Sequence, residues 1–149
     1  MSISYDTFTK AFLAKVRHYD FILMDAFDRQ DLVDGYMKRA IAEFRHICKY
    51  DFSSTNDDEL REFDVEINDD DEDELVEIIS EGMVVQWLKP YVFKQDNLEL
   101  FLNTRDFTTY SPAELLYRIG SAYTDARKTF VNMMREYSYA HGDLTELHI

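Results

Sequence analysis

The chain has 149 residues and a formal net charge of −14 at pH 7, and this length suits one domain that can bury a core without disulfides or metals. Hydrophobic residues make up 46% of the chain and aromatic residues 15%, which excludes an intrinsically disordered protein despite the charge. Four glycines and two prolines offer few tight turns for a β-sandwich or barrel, so the composition predicts an all-α fold.

Two amphipathic helices are predicted within the first fifty residues, because apolar side chains recur there every three or four positions. The stripe of the first helix consists of Tyr5, Phe8, Phe12, Val16 and Tyr19. The second helix is predicted over residues 31–49, and its stripe consists of Val33, Met37, Ala40, Phe44 and Ile47.

Negative charge is concentrated in residues 51–81, which we name the acidic segment. It holds fifteen Asp and Glu residues and one base, Arg61, whereas residues 1–50 sum to +1 and residues 82–149 sum to −1. The segment should therefore repel the phosphates of nucleic acids, which argues against electrostatic DNA binding through it. We expect an acidic loop between helices 2 and 3, with a short extended piece near residues 63–67.

The acid run at residues 69–74 predicts the start of a third helix, with Asp71 as its N-cap, because acids stabilise the first helical turn. That helix is predicted to end at or before Lys89, since the residue before a proline avoids the helical conformation. A short helix is predicted at residues 96–102.

A long C-terminal helix is the clearest local prediction. Ser111 is a candidate N-cap, Pro112 fits the first helical position and Glu114 completes a capping box. Gly142 is the expected stop. About thirty residues at a rise of 1.5 Å give a helix of roughly 45 Å, so one end is expected to extend past the body of the bundle.

Nothing in the sequence predicts catalysis, a cofactor or a metal site. The acid run has Glu74 where a calcium-binding loop needs glycine, the four histidines lack zinc-ligand spacing, and no glycine-rich phosphate loop is present. The single cysteine, Cys48, suits a reducing compartment. The first eight residues lack a signal-peptide pattern and the apolar stretches are too short to span a bilayer, so we expect synthesis in a cytoplasm and no membrane partner.

Two pairs of basic residues, Lys38-Arg39 and Arg127-Lys128, lie on predicted helices. They either form a solvated face or contact the acidic segment of a neighbouring copy, and the second arrangement would close into a ring or extend as a filament.

Several blocks of residues occur in a suggestive order and spacing along nearly the whole chain. They are Tyr36…Ala40-Ile41…Phe44…Cys48-Lys49-Tyr50-Asp51-Phe52, Glu62-Phe63, Gly82-Met83-Val84-Val85-Gln86-Trp87-Leu88-Lys89-Pro90, Asp106-Phe107 and Tyr110-Ser111-Pro112-Ala113-Glu114-Leu115-Leu116. Together they resemble the head–tail connector (adaptor) proteins of tailed bacteriophages that infect Gram-positive bacteria.

This resemblance implies one helical connector domain over residues 1–149 that assembles as a ring, usually dodecameric, beneath the portal. Its implied partners are the portal protein, a tail or second neck protein, and DNA that passes through the channel without specific binding. The implied location is the neck of the virion, with the host cytoplasm during assembly. The competing hypothesis is a soluble acidic inhibitor that mimics DNA.

Two surfaces are predicted to serve these contacts. The acidic face consists of Asp69, Asp70, Asp71, Glu72, Asp73 and Glu74. A partner interface is expected at the end of the long helix and in the tail at residues 142–149, because apolar groups at a chain end need another protein to cover them. Its candidate residues are Tyr137, Tyr139, His141, Leu144, Leu147 and Ile149.

Overall fold

The computed structural model describes residues 2–16, 30–93 and 112–141. Within these ranges four helices form a bundle: α1 (Tyr5–Val16), α2 (Gln30–Phe44), α3 (Asp69–Phe93) and α4 (Pro112–His141). The all-α prediction and the long C-terminal helix are confirmed. Within the described ranges, no helix carries an apolar stretch of the length that a bilayer span requires.

Helix α3 lies at the centre and packs against each of the other three helices. Trp87 of α3 is buried and meets the ring of Phe12 from α1 edge-on, with 6.1 Å between ring centroids. Phe12 also meets Tyr36 of α2 at 6.1 Å. These aromatic contacts join α1, α2 and α3 in one core.

Gly82 of α3 lies where three helices approach most closely. A methyl group at this position would lie 2.8 Å from the Cβ of Ala40 in α2 and 2.8 Å from the ring of Phe130 in α4. A larger residue would therefore force the helices apart, and the glycine permits the close crossing.

A small antiparallel sheet pairs the segment before α1 with two strands from the connection between α2 and α3, where the sequence predicted only an extended piece near residues 63–67. Its two-residue strands are β1 (Ile3–Ser4), β2 (Asn56–Asp57) and β3 (Glu62–Phe63), in the order β1-β3-β2. Phe63 is buried beneath it and packs on Tyr5 and Phe8. The acidic loop is therefore anchored over the start of α1 by an apolar contact.

Helix α2 ends at Phe44, five residues before the predicted end at residue 49. Ile47 and Cys48 both donate their N–H groups to the Phe44 carbonyl, which tightens the last turn. The Lys49 N–H donates instead to the hydroxyl of Tyr137 on α4, at 3.0 Å. A tertiary partner thus replaces the next helical bond, and no local sequence signal indicates it.

The predicted start of α3 within the acid run is confirmed, but its predicted N-cap and its predicted C-terminal end need correction. The helix begins at Asp69, and the Asn68 carbonyl accepts the first helical hydrogen bonds from Asp71 and Glu72, so Asp71 lies inside the first turn and is not the N-cap. The helix also continues through Pro90 to Phe93. Side chains beyond the proline, among them Tyr91, pack against the core, and this burial offsets the hydrogen bond that proline cannot donate.

Helix α4 agrees with its prediction at both ends. It begins at Pro112 and ends at His141, directly before Gly142, and its 30 residues correspond to about 45 Å. The predicted cap Ser111 and the predicted helix at 96–102 lie outside the described residues, as do the stop residue Gly142 and the tail.

Candidate functional site

Arg61, the single base of the acidic segment, connects the loop to two helices. Its guanidinium donates from Nε and Nη2 to the two carboxylate oxygens of Asp34 on α2, at 3.0 and 2.8 Å. Its Nη1 donates to Asp6 on α1 at 2.8 Å. The hydrogen bond to Asp34 contributes most to raising the pKa of the Arg61 guanidinium above its usual range. The base therefore holds the loop against the bundle and does not face a partner.

A second ion pair fixes the same loop at Asp58. This carboxylate accepts from the Tyr5 hydroxyl at 2.8 Å and pairs with Lys38 of α2 at 2.8 Å. The bond from Lys38 is the main reason that the pKa of Asp58 is lowered. Burial, reinforced by the bond to Asp58, raises the pKa of Tyr5 to about 12.

The prediction that Asp71 belongs to the acidic face is wrong, because this side chain is turned into the protein. The residue is only 8% exposed, and its carboxylate accepts a short hydrogen bond of 2.6 Å from the Tyr50 hydroxyl. The same hydroxyl accepts from the Asn68 N–H at 3.3 Å. Asp71 therefore joins the loop to the start of α3 and is unavailable to a partner.

The rest of the predicted face divides by exposure. Asp69, Asp70 and Asp73 are exposed, while Glu72 and Glu74 are half-buried. Exposed acids in the loop extend this negative surface, and we include Glu59, Asp64 and Glu66 among them. These six side chains define the exposed acidic surface of the segment.

The C-terminal part of the acidic segment is partly neutralised by α1. Lys15 lies 2.9 Å from Glu77 and 3.1 Å from Glu81. These two bonds raise the pKa of Lys15 although burial alone would lower it. The free negative charge is therefore concentrated at the N-terminal end of α3 and in the adjoining loop.

Each predicted basic pair contributes one residue to a contact within the chain. Lys38 pairs with Asp58, as described, and Arg127 of α4 pairs with Glu43 of α2 at 2.8 Å. Arg39 and Lys128 are exposed. The choice between a solvated face and a contact with the acidic segment of a neighbouring copy therefore remains open only for Arg39 and Lys128.

The predicted partner interface is corrected at Tyr137. Its side chain is fully buried, its ring packs on Phe44 at 4.9 Å, and its hydroxyl accepts from the Lys49 N–H. Burial raises the pKa of this phenol. Tyr137 is thus a core residue that joins α4 to the end of α2, since the apolar stripe of α4 continues through it.

Tyr139, two residues further on, is 53% exposed and remains a candidate contact residue. His141 ends the helix, but its side chain lies outside the described residues. The same holds for Leu144, Leu147 and Ile149. The interface prediction in the tail is therefore untested by the structure.

Sequence reasoning missed an exposed apolar surface at the other end of α4. Leu116 is 44% exposed and Tyr117 is 75% exposed. The first turns of α4 leave both side chains on the surface. The predicted length of the helix could have indicated this surface, because a helix longer than the bundle leaves the side chains of one end uncovered.

A small cavity lies beside Cys48, where α2 gives way to the loop. Its volume is about 170 Å³, and the buried side chains of Ile41, Phe44 and Phe52 are among its lining residues. Cys48 is half-buried on its wall, and burial raises the pKa of its thiol. A protonated thiol is a poor nucleophile, so this arrangement does not resemble a catalytic cysteine.

The described residues do not bring three or more His, Cys, Asp or Glu side chains together where they could hold a metal ion. Comparisons with protein-family models, with curated proteins and with solved structures find no match for this chain. The geometry of the chain itself therefore carries the functional argument.

Proposed function

We propose that this protein is a structural subunit of a bacteriophage neck, which assembles as a ring under the portal and joins head to tail. The observation that supports the proposal most strongly is the position of the exposed negative charge. The acids of the loop and of the first turn of α3 remain exposed although the rest of the chain is close to neutral. A negative wall lets a DNA duplex slide past without being gripped.

The exposed apolar surface of the long helix is a second observation that supports the proposal. Leu116, Tyr117 and Tyr139 place exposed apolar or aromatic surface toward both ends of α4, and tyrosine is enriched at protein–protein interfaces. A ring subunit needs such surface for its neighbours and for the proteins above and below it. Within the proposal, the ring has the usual dodecameric form and no catalytic role.

The DNA-mimic hypothesis explains the acids less well. A mimic must present negative charge along its whole body, whereas Arg39, Lys89 and Lys128 leave exposed positive charge on the helices. The charge is thus local, which suits a surface turned toward a channel or an adjoining ring.

The proposal is tested by measuring the mass of the purified protein by light scattering, alone and mixed with the portal protein of the same genome. We expect a monomer or small oligomer alone and a discrete ring complex with the portal. One unchanged mass in both samples contradicts the proposal. Capture by a basic nucleic-acid-binding protein in place of the portal would support the mimic.

A further inference from the structure

We propose that Leu60 of one copy of this chain inserts into the cavity beside Cys48 of a neighbouring copy. Leu60 lies in the turn at residues 58–61, which joins β2 to β3 and which we name the hairpin tip. The inference rests on the proposed function, because it names the contact between neighbouring subunits of the proposed ring.

Leu60 does not contribute to the core of its own copy. It is 68% exposed, the largest exposure of any large aliphatic residue that the structure describes. It is also not among the lining residues of the cavity, so a copy does not fill its own cavity with this side chain. The leucine is therefore available to another molecule.

The backbone on both sides of Leu60 is fixed. The Asp57 carboxylate accepts from the N–H groups of Glu59 and Leu60, at 3.0 and 3.1 Å. Arg61, the next residue, has a positive φ of 53° and is held by Asp34. Non-glycine residues persist in this conformation where surrounding contacts impose it, and they cluster at binding sites. A tip that is already ordered loses little conformational entropy on docking, which favours binding.

The cavity beside Cys48 has room for a leucine side chain. It opens to the surface and has a volume of about 170 Å³, whereas cavities of about 150 Å³ bind benzene. A leucine side chain is smaller than that ring. The buried side chains of Ile41, Phe44 and Phe52 are among the lining residues, and they offer apolar contacts to the inserted methyl groups.

One pair of opposite charges flanks the contact. Most of the charge around the cavity is balanced, since Lys49 pairs with Asp71 at 3.9 Å and Asp51 lies beside it. Arg45 is a lining base that forms no ion pair with the residues that the structure describes. Glu59 of the hairpin tip is exposed and likewise has no ion pair in the described part of the chain. Arg45 and Glu59 of two copies are therefore complementary where the tip enters the cavity.

The tip and the cavity are different surfaces of the subunit, so the contact is head to tail. Each copy offers its tip to one neighbour and its cavity to the other. Such a contact closes into a ring when the rotation between copies allows it, and otherwise it extends as a filament. It thus supplies the continuity between subunits that the proposed ring needs.

Cysteine cross-linking tests the contact directly, because the single cysteine of the chain lines the cavity. Leu60→Cys places a second thiol on the tip, and a disulfide forms only where two Cα atoms come within about 7 Å. The variant is oxidised by air with copper–phenanthroline, with and without the portal protein, and its products are separated on a denaturing gel without reductant. We expect trimers and larger species, since each chain can link to two neighbours.

Three controls isolate this pair of thiols. The wild-type chain and the double variant Leu60→Cys with Cys48→Ser carry one thiol per chain, so neither can form a species larger than a dimer. Tyr117→Cys places its thiol at a residue that is 75% exposed. It should form the larger species at least about tenfold more slowly, because no contact holds its thiol near Cys48.

Variants that change charge or polarity test the same contact. Leu60→Asp should retain the circular dichroism spectrum of the wild type, because the residue lies on the surface, and should no longer form a ring with the portal. In the Leu60→Cys chain, Glu59→Arg should slow cross-linking at least about fivefold, because it places two bases together. Adding Arg45→Glu to that chain restores the opposite charges and should restore the rate.

The inference is overturned if Leu60→Cys gives no species larger than a dimer, or if it cross-links no faster than Tyr117→Cys. A Leu60→Asp chain that forms a ring as the wild type does also overturns it. The proposed function stands in each case if light scattering shows a ring of the wild-type chain with the portal. Larger cross-linked species from a protein whose mass the portal does not change would support the contact and contradict the proposed place under the portal.

Discussion

Arg61 and Asp34 form a two-point contact in which both carboxylate oxygens of Asp34 accept from one guanidinium, at 3.0 and 2.8 Å. The pair is mostly buried, with side-chain exposures of 22% and 15%. Arg61 also has a positive φ of 53°, a backbone conformation that costs a non-glycine residue free energy. The contact helps to offset that cost and attaches the acidic loop to α2.

The first prediction follows from this contact. Arg61→Ala should lower the free energy of unfolding by about 1–3 kcal/mol, because it leaves a half-buried carboxylate without its partner. The measurement is urea unfolding followed by circular dichroism. Arg118→Ala is the matched control, since its pair with Glu114 is exposed at 42% and 48%, and it should change stability by less than about 0.5 kcal/mol. If the two variants lost the same free energy of unfolding, Arg61 would contribute no more to stability than an exposed ion pair does.

The second prediction concerns the helix crossing at Gly82. Gly82→Ala should destabilise the protein by about 1–3 kcal/mol, because the new methyl would lie 2.8 Å from Ala40 and Phe130. Gly120→Ala on α4 is the control, since a Cβ there meets nothing within 4 Å. The control should gain up to about 1 kcal/mol from better helix propensity. Thermal melts of both variants check the prediction, and a stabilised Gly82→Ala would contradict the close crossing.

The third prediction concerns alkaline pH and Tyr5. Its pKa is about 12 in the folded state against a usual 10.0, so the folded state favours the neutral phenol. The resulting stability is complete below pH 10 and is lost as the pH rises toward 12, because the unfolded chain releases the proton first.

Tyr5→Phe should therefore flatten the fall in unfolding free energy between about pH 10 and pH 12. Urea unfolding at a series of pH values measures this slope. Tyr117→Phe, at an exposed tyrosine, controls for the loss of a phenol elsewhere. An unchanged slope in Tyr5→Phe would show that burial and Asp58 do not hold the proton.

The fourth prediction separates two neighbouring tyrosines of α4. Tyr137→Ala should cost about 3–5 kcal/mol, since a buried aromatic ring is removed. Tyr139→Ala should change stability by less than about 0.5 kcal/mol, because its side chain is largely in solvent. Binding to the portal should respond in the opposite order, with Tyr139→Ala weakening it in a protein that is still folded. Full binding by Tyr139→Ala would remove this residue from the candidate interface.

The fifth prediction concerns the exposed acidic surface. Replacing Asp69, Asp70 and Asp73 by Asn should leave the helical spectrum intact, with a loss of at most about 0.3–1 kcal/mol for each favourable helix-dipole contact. We expect it to alter assembly with the portal. The control removes three exposed charges outside the acidic segment instead, through Asp31→Asn, Asp125→Asn and Glu136→Gln. If the two triple variants altered assembly with the portal to the same extent, assembly would depend on the net charge of the protein and not on the position of the acids.

Local signals in the sequence predicted the helices well wherever the chain carries its own start or stop residue. Pro112 begins α4 as expected, and the three-to-four spacing of Tyr5, Phe8, Phe12 and Val16 predicted α1. Predictions failed where a distant residue decides the outcome. The Lys49 N–H, which the predicted helix would bond internally, donates to the hydroxyl of Tyr137 on α4.

The candidate site was harder to predict than the fold for the same reason. The concentration of acids was visible in the sequence, but the burial of Asp71 depends on the Tyr50 hydroxyl, twenty-one positions earlier. Likewise, α3 continues past Pro90 because the bundle covers the following turn. Propensity and spacing describe a residue's neighbours along the chain, whereas these outcomes depend on packing between elements.

The central claim is that the protein forms a ring beneath a portal, and an electron microscopy image of the portal mixed with this protein tests it most directly. The account predicts a second ring of density on the axis of the portal, which prolongs its central channel. It also predicts that the ring is lost with Tyr139→Ala while the portal itself remains intact. A portal with no added axial density, at protein concentrations that saturate any binding seen by light scattering, would contradict the account.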